Sequence, residues 1–422
     1  MSTQETREPL VEDEEAPSGA IGAATVEHET LSDYVRGRIE GLRAGELGNI
    51  PIIIGIILIA IYFQSRNSNF LTAGNFDNLI VQMAPIAVIG MGIVFVLLLG
   101  EIDLSVGFVS GVGGAICAVL LLPGGASIPT AVAIIVALGA GLCIGLVQGT
   151  LFAKVGIPSF VVTLAGLLAW NGVVLEIVGS RGTIVIQDSF VNGIANNSLS
   201  DTAAWVVVEG AVALYAAIQY SAVRGRKRAG LPNVPTSLIL IRIGVLAILG
   251  AFVVIVCNSA RGLPYVGVLM IGLMLFWTFI TDRTRFGRHV FAVGGNAEAA
   301  RRAGIRVDLV RIAVFGISGF MAAMGGIILA SRLSSVDTNA GGGSILLYSI
   351  AAAVIGGTSL FGGRGTIRSA ILGAVVIASI DNGLGLLNVS AGTKFIVTGL
   401  VLLAAVTVDS LSRKGRESAG RA

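Results

Sequence analysis

The chain has 422 residues, of which 54% are hydrophobic and 13% are charged, and its formal net charge is +3. A soluble protein carries about 25% charged residues, and the hydrophobic residues here form long blocks, so the composition excludes a soluble globular protein. It indicates a polytopic membrane protein, in which the 58 glycines let helices pack closely.

Three regions differ in composition. Residues 1–47 contain eleven acidic residues and four arginines, a net charge of −7. We expect them to form an acidic, disordered arm in the cytoplasm, because such a segment buries too little apolar surface to fold. No basic stretch leads directly into an apolar core, which excludes a signal peptide. A transmembrane domain follows over 48–411, and a basic cytoplasmic tail over 412–422.

Twelve apolar segments each approach the ~20 residues that cross a bilayer as a helix. They are 48–64, 79–99, 105–122, 128–153, 158–178, 203–221, 238–257, 264–281, 310–331, 345–360, 367–387 and 393–411. Segments 105–122 and 345–360 are glycine-rich and weak, and a broken or re-entrant helix is the alternative for both. The sequence therefore predicts an all-α, polytopic transmembrane helical bundle of ten to twelve spans.

Basic clusters determine the orientation of the bundle, because cytoplasmic loops of membrane proteins are enriched in Lys and Arg. Three clusters belong in the cytoplasm: residues 224–228, the charged segment 281–306 and the tail 412–422. A cytoplasmic N-terminus places all three clusters in the cytoplasm. Removing one span from the count would move a cluster to the outer side, so a lower count must omit spans two at a time. Five basic residues face outward in this arrangement: Arg66, Arg181, Arg261, Arg332 and Lys394.

The charged segment contains a short predicted helix over 296–304, with the sequence NAEAARRAG. Asn296 suits an N-cap, and Glu298 lies in the first turn, four residues before Arg302, with which it can pair. Small residues let another surface approach, so a partner can dock here; a generic amphipathic interfacial helix is the alternative. The candidate docking residues are Asn296, Glu298, Ala299, Ala300, Arg301 and Gly304.

The chain has no sequence pattern for a nucleotide or a metal. No lysine follows the glycines of a phosphate-binding loop, and the glycine-rich run 362–366 predicts a tight turn. If ATP drives this protein, a separate chain must bind it. Three cysteines without paired spacing indicate neither a disulfide framework nor a metal site; they are Cys117, Cys143 and Cys257.

A few polar residues within or beside apolar segments are candidates for a translocation path, since intramembrane polar groups are costly and usually functional. They are Asp103, Asn171, Glu209, Asp381 and Asn382. The alternatives are structural: Asp103 or Ser105 caps the next helix, and the others form hydrogen bonds between helices. A proton relay through Glu209 or Asp381 is a third reading, although no His or basic partner lies near either in sequence.

Several motifs in one order, from about residue 80 to 410, resemble the permease subunits of ribose- and xylose-type ABC importers. They are GEIDLSVG (100–107), IPSFVVTLA (157–165), FGR (286–288), AVGGN (292–296), residues 298–305, IAAAVIGGTS (350–359) and DNG (381–383). The xylose branch is the most similar, because it also carries a basic insert, here residues 224–228 followed by 230–232.

The resemblance implies an ATP-driven, binding-protein-dependent importer of D-xylose or a related monosaccharide that works by alternating access. The pattern Glu298-Ala299-Ala300-x-x-x-Gly304 resembles the coupling helix that docks on an ABC ATPase subunit, which holds ATP and magnesium. The other implied partners are a second permease copy, an extracytoplasmic sugar-binding protein and the lipid bilayer, with no nucleic acid. The chain is then not an enzyme, binds no cofactor itself, and lies in a bacterial plasma membrane with both termini in the cytoplasm.

Some positions depart from the family pattern and leave the substrate open. Glu101 stands where a second glycine is usual, and Leu346 and Tyr348 stand where acidic residues are frequent. A different pentose, another sugar or a sugar alcohol therefore remains an alternative. Two other classes also remain: an ion-coupled secondary transporter using Glu209 or Asp381, and a membrane enzyme acting on lipid, for which no cluster of His, Asp or Ser is visible.

Overall fold

The computed structural model describes residues 50–123, 128–230 and 235–418. The predicted acidic arm 1–47, part of the basic insert and the last four residues of the tail lie outside the described residues. The elements, in chain order, are α1 (Ile50–Arg66), α2 (Ala73–Leu98), α3 (Val106–Leu120), α4 (Thr130–Thr150, continued by a π-helical turn Leu151–Val155), α5 (Ser159–Val178), β1 (Thr183–Val185), α6 (Ser189–Asn196), α7 (Asp201–Arg228), α8 (Thr236–Asn258), α9 (Tyr265–Arg283), α10 (Arg285–Gly295), α11 (Ala297–Arg302), α12 (Val307–Leu333), β2 (Ser335–Asp337), α13 (Ile345–Ile355), α14 (Ile367–Leu386) and α15 (Ala391–Ser418).

The predicted helical bundle is confirmed, and a helix lies at each of the twelve apolar segments. Eight helices in the described part of the chain are long and apolar enough to cross a membrane. The two glycine-rich segments became α3, with 15 residues, and α13, with 11 residues. At 1.5 Å per residue, these helices reach about 22 and 16 Å, less than the ~30 Å of a hydrocarbon core. Both are therefore too short to cross a bilayer as helices alone, and irregular segments adjoin them, 99–105 before α3 and 356–366 after α13.

The helices α2–α5 and α12–α15 pack as two matching halves. Helix α2 packs against α13 and α14 of the second half, and α12 packs in the same way against α3 and α4 of the first. The start of α2 and the end of α12 line the same cavities, so these two equivalent helices run in opposite directions. Inverted halves are common in transporters, where the substrate site lies between them.

Glycine makes the closest helix contacts in the bundle. A Cβ atom at Gly326 of α12 would overlap the backbone of Ser110 in α3. In α4, a Cβ atom at Gly141 would meet the carbonyl oxygen of Gly319 in α12, and the reverse also holds. Packing without side chains brings the backbones together and replaces the hydrophobic drive that is absent between helices in lipid.

The two ends of the bundle differ. At one, which we call the strand end, β1 pairs antiparallel with β2, and α6 contacts the last turn of α12, where Ala195 donates its backbone N–H to the Ser331 hydroxyl at 3.0 Å. The segment 180–202, for which the sequence did not separate a partner surface from a linker, thus contains a strand and a helix. At the other, the charged end, lie α10, α11 and the irregular connections 99–105 and 356–366.

The helices α7 and α8 lie at the edge of the bundle and pack mainly on each other. Only 6% of each apolar window is buried, against 83% for α2 and 67% for α12. Residues 224–228 of the basic insert form the end of α7, and residues 231–232 of that insert are outside the described part. Helices α2 and α12 therefore form the centre, and α7 and α8 add little to it.

Candidate translocation site

Two neighbouring cavities of about 200 and 210 Å³ open near the strand end. The outer cavity lies between α2 and the segments 195–198 and 261–264. The inner cavity lies between α2, α12, α13 and α14, where the two inverted halves meet. Both cavities are lined by Gln82 and Arg332, which therefore stand at their junction.

The inner cavity carries polar groups from each of the four helices around it. Gln82 belongs to α2, one turn before Pro85, and Arg332 lies in the last turn of α12. Tyr348 comes from α13 and is only 7% exposed, and Asp381 comes from α14. A guanidinium, a carboxylate, a phenol and an amide thus line one small space, together with the hydroxyl of Ser344 at its edge. Such a set supplies both donors and acceptors to a small polar ligand.

Asp381 forms an ion pair with Lys394 of α15, with Nζ 3.6 Å from Oδ1. No basic residue lies near Asp381 in the sequence, but the short connection after α14 folds α15 back, so that Lys394 lies beside α14. Arg332 lines the same cavity as Asp381 and adds a second positive charge. Asp381 thus has the side chains of two basic residues, Lys394 and Arg332, in its surroundings.

Asn382 is buried and acts in the helix packing. Its side-chain amide exchanges hydrogen bonds with that of Asn75 in α2, and its Nδ2 also donates to Gln82 Oε1 at 3.3 Å. Asn382 thus forms hydrogen bonds between helices, which was the structural alternative to a place in the translocation path. Asn382 therefore lies beside the inner cavity and fixes the position of Gln82.

The other path candidates lie elsewhere. Asn171 is half-buried on α5, and Glu209 is exposed on α7, at the edge of the bundle. Neither lines one of the two cavities. Of the polar residues chosen from sequence, the structure brings Asp381 and Asn382 together and separates them from Asn171 and Glu209.

Asp103 lies in the connection between α2 and α3 at the charged end, and it is 4% exposed. It accepts hydrogen bonds from the Ser105 backbone N–H and hydroxyl at 3.0 and 2.7 Å, and from the Ser318 hydroxyl of α12 at 2.9 Å. The alternative in which Asp103 or Ser105 caps α3 is met only in position: Ser105 occupies the N-cap but forms no side-chain capping bond, because its hydroxyl donates to Asp103. Burial raises the pKa of Asp103, and the bonds from Ser105 and Ser318 oppose that rise.

Glu101, the departure from the family glycine, lies in the same connection. Its Oε2 accepts a hydrogen bond from the Ser159 hydroxyl at 2.7 Å, and its Oε1 is 3.8 Å from Nη2 of Arg311. The Arg311 guanidinium also lies 4.7 Å from the ring centre of Phe152. Burial raises the pKa of Glu101, while the Ser159 hydroxyl and the charge of Arg311 act in the opposite direction. This carboxylate therefore joins α5 to the start of α12.

The predicted helix in the charged segment exists as α11. The Asn296 cap is confirmed, with Oδ1 accepting the Ala299 backbone N–H at 2.9 Å. Glu298 pairs with Arg302 at 3.1 Å, as expected, and with Arg301 at 3.5 Å. These pairs are exposed, so we expect them to contribute little to stability.

The exposed small residues of α11 and the turn after it form one face. Ala299 and Ala303 are exposed, and Gly304 follows them with a φ of 83° that favours glycine. Ala300 is only 5% exposed and packs in the core, so it anchors the helix and is not part of a free surface. The accessible small face is therefore Ala299, Ala303 and Gly304.

Helix α10 connects α11 to the interrupted parts of the bundle. Gly294 lies against the carbonyl of Leu98, the last residue of α2, so closely that a Cβ atom would overlap it. The same carbonyl accepts the backbone N–H of Gly363 at 2.9 Å. The end of α10 thus touches both the connection after α2 and the connection before α14.

The sequence did not identify Gln82 and Arg332, which line both cavities, or Lys394, which pairs with Asp381. Gln82 carried a usable signal, because it is an amide within an apolar segment. Arg332 and Lys394 carried none, since a basic residue at the outer end of a span is expected by topology alone. Tyr348 stood out only as a departure from the family pattern.

Comparison with known proteins gives one family. The profile described as "Branched-chain amino acid transport system / permease component" matches residues 75–406. The xylose transport system permease protein XylH of Escherichia coli K12 is 37% identical over 383 residues, which cover 90% of this chain and 95% of that protein. The ribose import permease protein RbsC of the same strain is 32% identical over 89% of this chain and 98% of that protein. The D-allose transport system permease protein AlsC of the same strain is 30% identical over 85% of this chain and 90% of that protein. No solved structure gives a significant match.

Proposed function

The chain belongs to the family of branched-chain amino acid transport system permease components, and we propose that it is the membrane permease subunit of an ATP-driven, binding-protein-dependent sugar importer. D-xylose or a related monosaccharide is the proposed substrate. The observation that carries the proposal is the inner cavity between the inverted halves, together with the similarity of nearly the whole chain to permeases named for xylose, ribose and allose.

The chemistry of the cavities favours a neutral, hydroxyl-rich ligand over an amino acid. An amino acid needs a site for its ammonium and another for its carboxylate. In the inner cavity, the single carboxylate, Asp381, already has Lys394 as its ionic partner. The remaining groups are an amide, a phenol, a hydroxyl and a guanidinium, which suit sugar hydroxyls. The volume of about 210 Å³ fits one sugar ring better than an oligosaccharide.

We further propose that α11 docks on an ABC ATPase subunit that binds ATP and magnesium. The exposed face of Ala299, Ala303 and Gly304 lets a partner approach closely, and the capped first turn makes the helix rigid. The positive-inside rule would put this end of the bundle, with both termini, in the cytoplasm, where the ATPase works. The strand end would then face an extracytoplasmic sugar-binding protein.

A second copy of the chain is the expected neighbour in the membrane. Several outer helices, including α1, α4 and α8, carry exposed apolar side chains that require either lipid or another protein. The family resemblance favours a homodimer, in which part of this surface contacts the second copy and the rest contacts lipid. In this arrangement each copy would have its own sugar path, through the two cavities that open at its strand end.

In the proposed cycle, sugar enters the outer cavity, passes Gln82 and Arg332 and reaches the inner cavity. ATP binding and hydrolysis in the partner move α11, and α10 transmits the movement to the connections 99–105 and 356–366 through the Leu98 carbonyl and Gly363. Opening towards the cytoplasm follows only if nucleotide and sugar stabilise different states to different degrees. The chain's own residues bind and orient the sugar and carry no covalent chemistry.

The test is sugar uptake by the reconstituted complex. The chain would be placed in liposomes with the ATPase and the sugar-binding protein of its transport system, and uptake of radiolabelled D-xylose, D-ribose and D-allose would be measured. We expect accumulation that requires ATP hydrolysis and the binding protein. Uptake by the chain alone, driven by a proton gradient, would instead identify an ion-coupled carrier.

A further inference from the structure

Arg332 lies at the junction of the two cavities and is half-buried at the end of α12. Its guanidinium donates no hydrogen bond to another described residue. Arg261, which also lines the outer cavity, differs in this respect, because its Nη2 donates to Asn78 at 2.6 Å. A half-buried guanidinium without a hydrogen-bond acceptor carries a desolvation cost that a bound ligand would offset.

The surroundings of Arg332 complement adjacent hydroxyl groups. On the inner side stand Asp381 and Tyr348, and on the outer side stand Asn196 and Ser198, with Gln82 on both sides. A sugar hydroxyl both donates and accepts hydrogen bonds. A planar guanidinium can donate to two neighbouring oxygens at once, while a carboxylate or amide oxygen accepts from their hydrogens.

We propose that Arg332 and Gln82 form a transfer site, in which Arg332 binds two adjacent hydroxyls of the sugar as it passes from the outer to the inner cavity. Asp381 accepts a hydrogen bond from the sugar on the inner side. Arg332 is then the residue that selects among monosaccharides within the membrane, after the binding protein has released them. This site rests on the proposed function, since it assumes that a neutral monosaccharide is transported.

The competing explanation for Arg332 is a purely structural ion pair with Asp381. Two observations favour a ligand site. Asp381 already has a cationic partner in Lys394, at 3.6 Å. Arg332 also faces the outer cavity, where Asp381 makes no part of the wall. A purely structural pair of Arg332 and Asp381 would require neither a second cation at Asp381 nor a guanidinium that faces the outer cavity.

The experiment uses the permease–ATPase complex in nanodiscs without the binding protein, and detects weak binding of D-xylose and its singly deoxygenated analogues by saturation-transfer NMR. Four complexes are compared: wild type, Arg332→Gln, Arg332→Lys and the control Arg181→Gln, whose residue is exposed and lines neither cavity. We expect Arg332→Gln to weaken xylose binding by about 10-fold, the loss of a charge-assisted hydrogen bond. Arg332→Lys should restore part of the affinity but not the discrimination against the analogue that lacks one of the paired hydroxyls, because an ammonium lacks the fork.

Wild-type affinity and unchanged discrimination in both Arg332 variants would overturn the transfer site. If a variant fails to assemble with the ATPase, Gln82→Leu replaces it, since the second shared residue should show the same loss. A wild-type complex that neither binds nor transports any monosaccharide would overturn the proposed function itself. Transport by wild type with normal behaviour of the Arg332 variants would overturn the transfer site alone.

Discussion

Asn75 at the start of α2 and Asn382 near the end of α14 exchange two hydrogen bonds through their side-chain amides, at 2.9 and 3.0 Å. Both residues are buried, and Asn75 also donates to the carbonyl of Phe70 at 2.8 Å. The pair joins the first inverted half to the second at the wall of the inner cavity. Because Asn382 also holds Gln82, the two amides set the position of a residue that lines both cavities.

Replacing Asn382 with Ala should destabilise the protein by about 1–3 kcal/mol, because it leaves the buried amide oxygen of Asn75 without its donor and also removes the hydrogen bond to Gln82. A double-mutant cycle with Asn75→Ala should give a coupling energy of about 0.5–2 kcal/mol, the range for hydrogen bonds between membrane helices. Unfolding in mixed detergent, followed by circular dichroism, measures both. Strictly additive effects would show that the two amides do not act as a pair.

Two glycines of α4 should respond to alanine with opposite signs. Gly141→Ala places a methyl group against the backbone of Gly319 and should destabilise the protein by about 1–3 kcal/mol through overpacking. Gly139→Ala, two residues earlier, meets no atom within 4 Å and should stabilise α4 by about 0.5–1 kcal/mol. Thermal unfolding of the two variants in the same detergent checks this contrast. Equal effects would mean that the α4–α12 contact is looser than described.

The raised pKa of Glu101 predicts a pH dependence of stability. Its ordinary pKa is 4.5, and burial raises the folded value, so above pH 4.5 the folded state binds more protons than the unfolded state. The unfolding free energy contributed by Glu101 is therefore fully present below pH 4.5 and declines as the pH rises through the folded pKa. Glu101→Gln removes this titration, so its stability relative to wild type should increase with pH.

Melting temperatures of wild type and Glu101→Gln between about pH 4 and pH 8 test this sign. Asp103 titrates in both proteins and cancels in the difference. Ser159→Ala serves as a second variant: it removes a hydroxyl that favours the charged carboxylate, so it should raise the pKa further and move the decline to higher pH. A difference between the proteins that does not change with pH would contradict the assigned cause.

A bulky residue on α11 should abolish recruitment of the partner ATPase without preventing folding. Ala299→Trp is the sharpest variant, since Ala299 is exposed, whereas a change at Gly304 would also strain a backbone with positive φ. Co-purification with the ATPase should fall at least about 10-fold, since a Trp ring prevents close approach of a docking groove. The matched control is Ala222→Trp, which alters an exposed alanine of α7 near the basic insert. Equal recruitment by the two variants would remove α11 from the interface.

Hydropathy predicted the helices well. In lipid, the backbone N–H and C=O groups of each span must hydrogen-bond within the span, so a spanning helix is recognisable by its length and apolar composition. The two glycine-rich segments stood out as weak, and the sequence left a broken or re-entrant helix as the alternative to a full span; the structure has short helices there. The Asn296 cap and the Glu298 pair were also predictable, since both depend on neighbours within four residues.

The residues of the candidate site were harder to predict from the sequence than the helices. Asp381 and Asn382 are adjacent in the chain, yet one faces Lys394 and the cavity and the other faces Asn75, more than 300 residues away. Glu209 had the same intramembrane character as Asp381, but it lies on a helix that the bundle leaves exposed. Which side of a helix is covered depends on partners distant in sequence, and local patterns contain no such information.

The helices α7 and α8 are almost unburied and pack mainly on each other, which has an evolutionary consequence. A hairpin that crosses the bilayer twice can be gained or deleted without inverting any later segment. Its loss would leave the contacts around α12 in place and would require repacking only where α8 meets α2, for example at the edge-on contact of Phe252 with Phe76. Sequence changes in this pair are therefore less constrained by packing than changes in the helices around α12.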